Sequence, residues 1–194
     1  MSRQFWSETV SWATASGTAI ATSTTETILF PNVTVPANFL QDGRCLRLRA
    51  FGAYGTTATP TLLFTLRWGG VAGTVLGKTG AIVTTSGTGG GASMTSPWSF
   101  EAIIQVRSNG ATGTLFTMGE VNLYTAVVGT AGTVTNYGMP AALTSGASAA
   151  PGTAPAVTTV DLTADTALSF TALWGTSNAA NSIIGTNYTI EALN

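Results

Sequence analysis

The chain has 194 residues, of which 44% are hydrophobic and only 8% charged, with a formal net charge of −1 and no histidine. That balance supplies no electrostatic drive toward nucleic acid or an anionic membrane. Without histidine there is no Ser-His-Asp triad, no Cys-His pair and no imidazole metal ligand.

About one residue in five is threonine. Threonine is β-branched, fits a pleated surface, and keeps an exposed face wet without placing a charge there. The composition therefore points to an all-β structural or binding protein, and the length suits one domain. We read residues 1–17 as an N-terminal arm and 18–194 as a single two-sheet β-sandwich. The arm begins MSRQFWSE, with no apolar run and no small-residue cleavage site, so it is not expected to be a secretory signal. No stretch reaches the roughly 20 apolar residues of a membrane span.

Phe5, Trp6 and Trp12 stand out in the arm because their neighbours are mostly serine and threonine. One reading folds the arm back over its own core. The other makes these three the partner-docking residues, since buried aromatic anchors dominate interface energies.

Period-two alternation then predicts strands in series. The first covers 24–30 and stops at Pro31. The second covers 44–54, with Leu46, Leu48 and Ala50 on one face and Cys45, Arg47, Arg49 and Phe51 on the other. The third covers 61–68, where Leu62, Phe64, Leu66 and Trp68 form an apolar face before Gly69-Gly70. The fourth runs over about 74–85 and leads into a glycine-rich loop at 86–91.

The fifth is the clearest: Trp98, Phe100, Ala102, Ile104 and Val106 alternate with Ser99, Glu101, Ile103, Gln105 and Arg107. Asn109-Gly110 follows as a hairpin signal, because both residues tolerate positive φ. The sixth strand spans about 113–126. Residues 127–160 are uncharged and rich in Gly, Ala, Thr, Ser and Pro, and read as a long loop ordered against a neighbour. The seventh strand is 166–174, with Leu168, Phe170, Ala172 and Trp174 on one face. The eighth is 183–193, with Ile184, Tyr188 and Ile190 opposed by Asn187, Thr189 and Glu191. About eight strands suggest a jelly roll of antiparallel strands as the leading option, with other two-sheet sandwiches open.

The chemical inventory is thin. Cys45 has no partner in the chain, so no intrachain disulfide forms and the residue is expected to be a small buried hydrophobe. Folding in a reducing cytoplasm is compatible with it. The eight acidic residues are scattered, which argues against the paired carboxylates of a glycosidase. Glu101 and Glu191 are expected to pair with arginines across strands. Asp161 and Asp165 suit turns better than calcium, which takes six or more oxygen ligands. The glycine clusters at 69–74 and 87–91 lack the Gly-Lys-Ser/Thr ending and precede no helix, so no phosphate loop is expected. Asn32-Val33-Thr34 and Asn187-Tyr188-Thr189 match the short glycosylation pattern by composition alone. No catalytic residue, cofactor or metal is expected, and the chain is read as a non-enzyme.

A set of segments in order carries a resemblance. They are Thr24-Thr25-Glu26-Thr27-Ile28-Leu29-Phe30-Pro31, Val35-Pro36-Ala37-Asn38-Phe39-Leu40 and Gly43-Arg44-Cys45-Leu46-Arg47-Leu48-Arg49-Ala50. Next come Thr59-Pro60-Thr61-Leu62 with Arg67-Trp68-Gly69-Gly70, then Pro97-Trp98-Ser99-Phe100-Glu101-Ala102, and finally Leu173 to Asn181. This series resembles small structural proteins of tailed bacteriophages, of the capsid decoration, cement or minor structural kind. The resemblance implies a virion protein made in the host cytoplasm, with a jelly-roll-like fold. It transfers no functional residue and does not separate head from tail. The expected partners are other copies of the chain, as a homotrimer, and the major capsid protein or another virion protein, with no nucleic acid and no membrane. The alternative expectation is a tail-fibre or spike domain that recognises host surface glycan.

Overall fold

The computed structural model describes residues 7–56, 58–84, 94–128, 134–146 and 154–193. Among these residues the fold is all-β, with fourteen strands and no helix. In chain order they are β1 (Ser7–Trp12), β2 (Ile20–Ala21), β3 (Thr27–Ile28), β4 (Val33–Val35), β5 (Cys45–Gly55), β6 (Thr61–Trp68) and β7 (Thr74–Thr79). Then come β8 (Ile82–Val83), β9 (Ser96–Ser108), β10 (Gly113–Val128), β11 (Val134–Ser145), β12 (Thr158–Val160), β13 (Thr166–Trp174) and β14 (Ser182–Leu193).

The strands pair into one curled sheet in the order β1-β14-β5-β9-β10-β11-β7-β6-β13-β3. Short strands complete it: β2 on β14, β4 on β13, β8 on β6 and β12 on β10. Every pairing is antiparallel.

The curl follows from the alternation. Leu46, Leu48 and Ala50 of β5, and Trp98, Phe100, Ala102, Ile104 and Val106 of β9, all point inward and are buried. Their counterparts are Leu62, Phe64 and Leu66 of β6 and Leu168, Phe170 and Trp174 of β13. The sheet must bend until these faces meet, because a one-sided apolar sheet left open would expose both. They meet through rings: Phe100 lies 4.1 Å from Phe170 between centroids, and Phe64 lies 5.6 Å from Trp98. The Trp98 indole closes onto Gly52, its cross-strand partner on β5. A Cβ at Gly52 would sit 2.0 Å from the Ile184 carbonyl oxygen and 2.6 Å from the indole, so only glycine fits. The indole N–H donates to that same carbonyl at 3.1 Å, which satisfies its buried polar atom.

Several expectations are corrected. The strand expected at 24–30 is shorter, since β3 holds only Thr27–Ile28. The region 74–85 divides into β7 and β8, and the loop expected at 86–91 lies outside the described residues. The long loop expected at 127–160 instead carries β11, which pairs with both β10 and β7, and ends in β12. Threonine, alanine and glycine disguise β11 because they give little apolar alternation. The described part of the arm joins the sheet, β1 pairing with β14 over Ser7–Trp12, an arrangement neither reading of the arm ruled out. Finally, β14 contains a register shift between Gly185 and Asn187. The extra residue reverses the inward face, so Ile183 is buried while Ile184 is only half-buried, and Tyr188 and Ile190 point inward beyond it.

The Asn109-Gly110 turn joins β9 to β10 as expected, with Gly110 at φ +99° and the Gly113 N–H donating to its carbonyl at 3.1 Å.

Candidate functional site

The outward side of β1, β14, β5, β9 and β10 forms one continuous face. Register places its side chains in rows across the strands. One row reads Trp12, Thr189, Arg49, Glu101, Glu120. The next reads Thr9, Glu191, Arg47, Ile103, Met118. On the other side lies Asn187, Phe51, Ser99, Asn122.

Charge on this face is largely neutralised within it. Arg47 pairs with Glu191 at 2.6 Å, and Arg49 pairs with Glu101 at 3.2 Å, as the cross-strand reading expected. Such part-exposed pairs contribute little stability, because water screens them. Around the ion pairs the face also carries large apolar and aromatic groups: Trp12 is 60% exposed, Phe51 45% and Met118 41%. Tyr124 is exposed beside them, with its hydroxyl 3.2 Å from the Ser99 hydroxyl. Arg107 lays its guanidinium 4.2 Å above the Phe116 ring. Cys45 lies half-buried on this same outward face, not in the core as expected, and burial pushes its thiol above the ordinary value.

Trp12 is the one expected docking residue that the structure locates; Phe5 and Trp6 lie outside the described residues. Its backbone is fixed by pairing with Thr189, and the next residue, Ala13, donates its N–H to the Tyr188 carbonyl at 3.0 Å. Val10 of the same strand packs against the core. The indole itself points away. A fixed backbone that presents an exposed ring loses little entropy on docking. The sequence did not single out Phe51, Met118 or Tyr124. Alternation assigns Phe51 to the outward face of its strand, but only the β9–β10 register places Met118 on that face and brings Tyr124 to Ser99, the cross-strand partner of Phe51.

The other end of the curled sheet, around β3, β13 and β6, carries a tighter charge cluster. Arg67 of β6 grips Glu26 with two hydrogen bonds of 2.6 Å, and both side chains are about four-fifths buried. The Thr171 hydroxyl donates to the same carboxylate, and Arg67 also donates to the Gly73 carbonyl at 2.8 Å. Burial pushes the Glu26 carboxyl up, but the Arg67 and Thr171 hydrogen bonds outweigh it and hold the group below the usual carboxylate value. This cluster ties the β3 edge to β6 and β13.

Glu26→Gln is expected to cost about 1.5–3 kcal/mol near neutral pH, the range for hydrogen bonds to a charged group. A carboxyl lowered in the folded state stabilises above its unfolded value, and loses that contribution as pH falls through the folded value. The gap between wild type and Glu26→Gln in urea denaturation should therefore close on acidification below the ordinary carboxylate range. A gap that stays constant with pH would rule out the ionic contribution.

Among the described residues no three His, Cys, Asp or Glu side chains come together as a metal site. Asp161 serves a turn, accepting from the Thr163 N–H at 2.8 Å, while Asp165 reaches across the fold to accept from the Ala37 N–H at 2.8 Å. The apolar cavity between β5, β6, β13 and β14, lined by Leu48, Leu66, Phe170 and Ile190, holds only about 20 Å³, room for no more than a water. Comparison with protein-family models, curated proteins and solved structures finds no match to this chain, so what it does is argued from its own surface.

Proposed function

We propose that this chain is a non-enzymatic structural protein of a tailed-bacteriophage virion, which decorates or cements an assembled shell through the Trp12 edge of its outward sheet face. The observation that carries this reading is Trp12: a large indole, 60% exposed, on a backbone locked into the sheet. Exposed aromatic anchors of this kind mark interaction surfaces, and tryptophan is the residue most enriched at binding hot spots. The virion assignment rests on the sequence resemblance, and a jelly-roll arrangement of the curled sheet is part of the same proposal. A hydroxyl-rich surface with few charges suits a protein that works inside an assembly.

The mechanism is mass action. A protein that binds the assembled shell but not its separate parts stabilises the shell in proportion to its occupancy. The alternative, glycan recognition by stacked tryptophans, has less to work with. Trp68, Trp98 and Trp174 are core residues and cannot stack on a sugar.

Cryo-electron microscopy of virions carrying the protein tests the reading directly. Density for this fold on the shell, with Trp12 in the contact, is the expected result. Its absence from the particle, or attachment only at fibre tips with Trp12 against a saccharide, would replace the reading with the glycan one.

A further inference from the structure

One row of the outward face is electrostatically incomplete. Glu101 on β9 and Glu120 on β10 are direct cross-strand partners, an arrangement that destabilises a sheet through like-charge repulsion. Arg49 neutralises Glu101 at 3.2 Å, while Glu120 has a weak hydrogen bond from the Asn122 side chain at 3.3 Å and, among the described residues, no ion pair. Its neighbour across β10 and β11 is Ala142, which leaves the carboxylate open above the face.

The same face carries a cation in the complementary position. The Arg107 guanidinium rests on the Phe116 ring and, among the described residues, makes no ion pair. Phe116 and Glu120 lie two residues to either side of Met118 on β10. Four residues of strand separate them by roughly 14 Å, too far for Arg107 and Glu120 of one chain to meet. Met118 is 41% exposed and sits opposite the half-buried Ile103. An apolar pair is thus flanked symmetrically by one unpaired cation and one unpaired anion.

We propose that this patch binds a second copy of the chain about a two-fold axis through the Met118–Ile103 pair. Rotation about an axis that crosses β9 and β10 there lays Met118 and Ile103 on their own copies. It carries Arg107 of each chain over Glu120 of the other, forming two equivalent ion pairs. Each incoming guanidinium completes the Arg49–Glu101–Glu120 row. An isologous contact is self-complementary and closes as a pair, a different geometry from the trimer expected from the sequence. Trp12 lies four strands away, so the proposal stands whether or not that edge binds a shell.

The test uses two charge reversals, Arg107→Glu and Glu120→Arg, followed by sedimentation velocity on each variant and on their equimolar mixture. The wild type is expected to sediment with twice the 19.7 kDa chain mass at high micromolar concentration. Each reversal alone should weaken association at least about tenfold, because like charges then face each other twice. In the mixture, each chain finds its complement across at least one pair, and association should recover. The double variant should associate like the wild type. Both positions are exposed, so circular dichroism should not change. A wild type that stays monomeric overturns the proposal. So does association that ignores both reversals, or a mixture and double variant that fail to recover.

Discussion

Phe100→Ala should cost about 3–5 kcal/mol, the range for removing a buried phenylalanine from a core that cannot collapse around the gap. Phe100 is buried at the centre of β9, between β5 and β10. Its ring lies 4.1 Å from Phe170, which in turn stacks 5.7 Å from Phe64. Ala50, its cross-strand partner, already borders the small cavity beside Phe170, so the new void would merge with an existing one. That loss is a large fraction of the 5–15 kcal/mol typical of a domain. Urea denaturation should show it as a lower midpoint at similar slope. The control lies three residues along the strand: Ile103→Ala, on the outward face, should cost less than about 1 kcal/mol in dilute protein. If Phe100→Ala lost under about 1 kcal/mol, the inward face of β9 would be misassigned, because a one-residue slip exchanges the two faces.

Strands that bury one apolar face were legible in the sequence. In β5, β6, β9 and β13 large side chains at every second position mark the inward face, and the residues alternation selects are buried; Thr65, Ser169 and Thr171, on the other face of β6 and β13, are buried as well. What failed to read was structure built from small residues or set by pairing. In β11, Ala141, Ala142 and Thr144 carry no pattern strong enough to announce a strand, yet Leu143 is buried where β10 and β7 both pair with it. The bulge in β14 is equally silent, because composition does not reveal one extra residue between Gly185 and Asn187. Its consequence is that Ile184, read as sharing the inward face of Tyr188 and Ile190, is only half-buried, while Ile183 is buried. The docking face was half legible. Trp12 was singled out for its unusual neighbours, and the Arg47 and Arg49 ion pairs for their place opposite acidic strand residues. The Glu101–Glu120 clash needed the β9–β10 register, which the turn length alone does not fix.

Trp12→Ala should abolish most binding to purified shells while leaving the fold intact. The indole contributes surface to solvent and none to the core, since it is 60% exposed, whereas Val10 of the same strand is the residue that packs inward. Truncating an exposed side chain usually changes stability by no more than about 0.5 kcal/mol. If the indole is a hot spot, its loss removes about 2 kcal/mol or more of binding energy, near a thirtyfold fall in affinity. Deleting residues 1–16 is a poorer test. It strips β1 from the edge of β14 along with the ring, and exposes the hydrogen bonds of Glu191 and Thr189. Melting and binding would then fall together and could not be told apart. The point substitution separates them, with co-sedimentation on shells for affinity and thermal melting for the fold. Unchanged affinity on an unchanged fold would remove Trp12 from the contact and direct attention to Phe51, Met118 and Tyr124. A large drop in melting temperature would show instead that the indole seals the protein's own sheet edge, and the docking reading would fall.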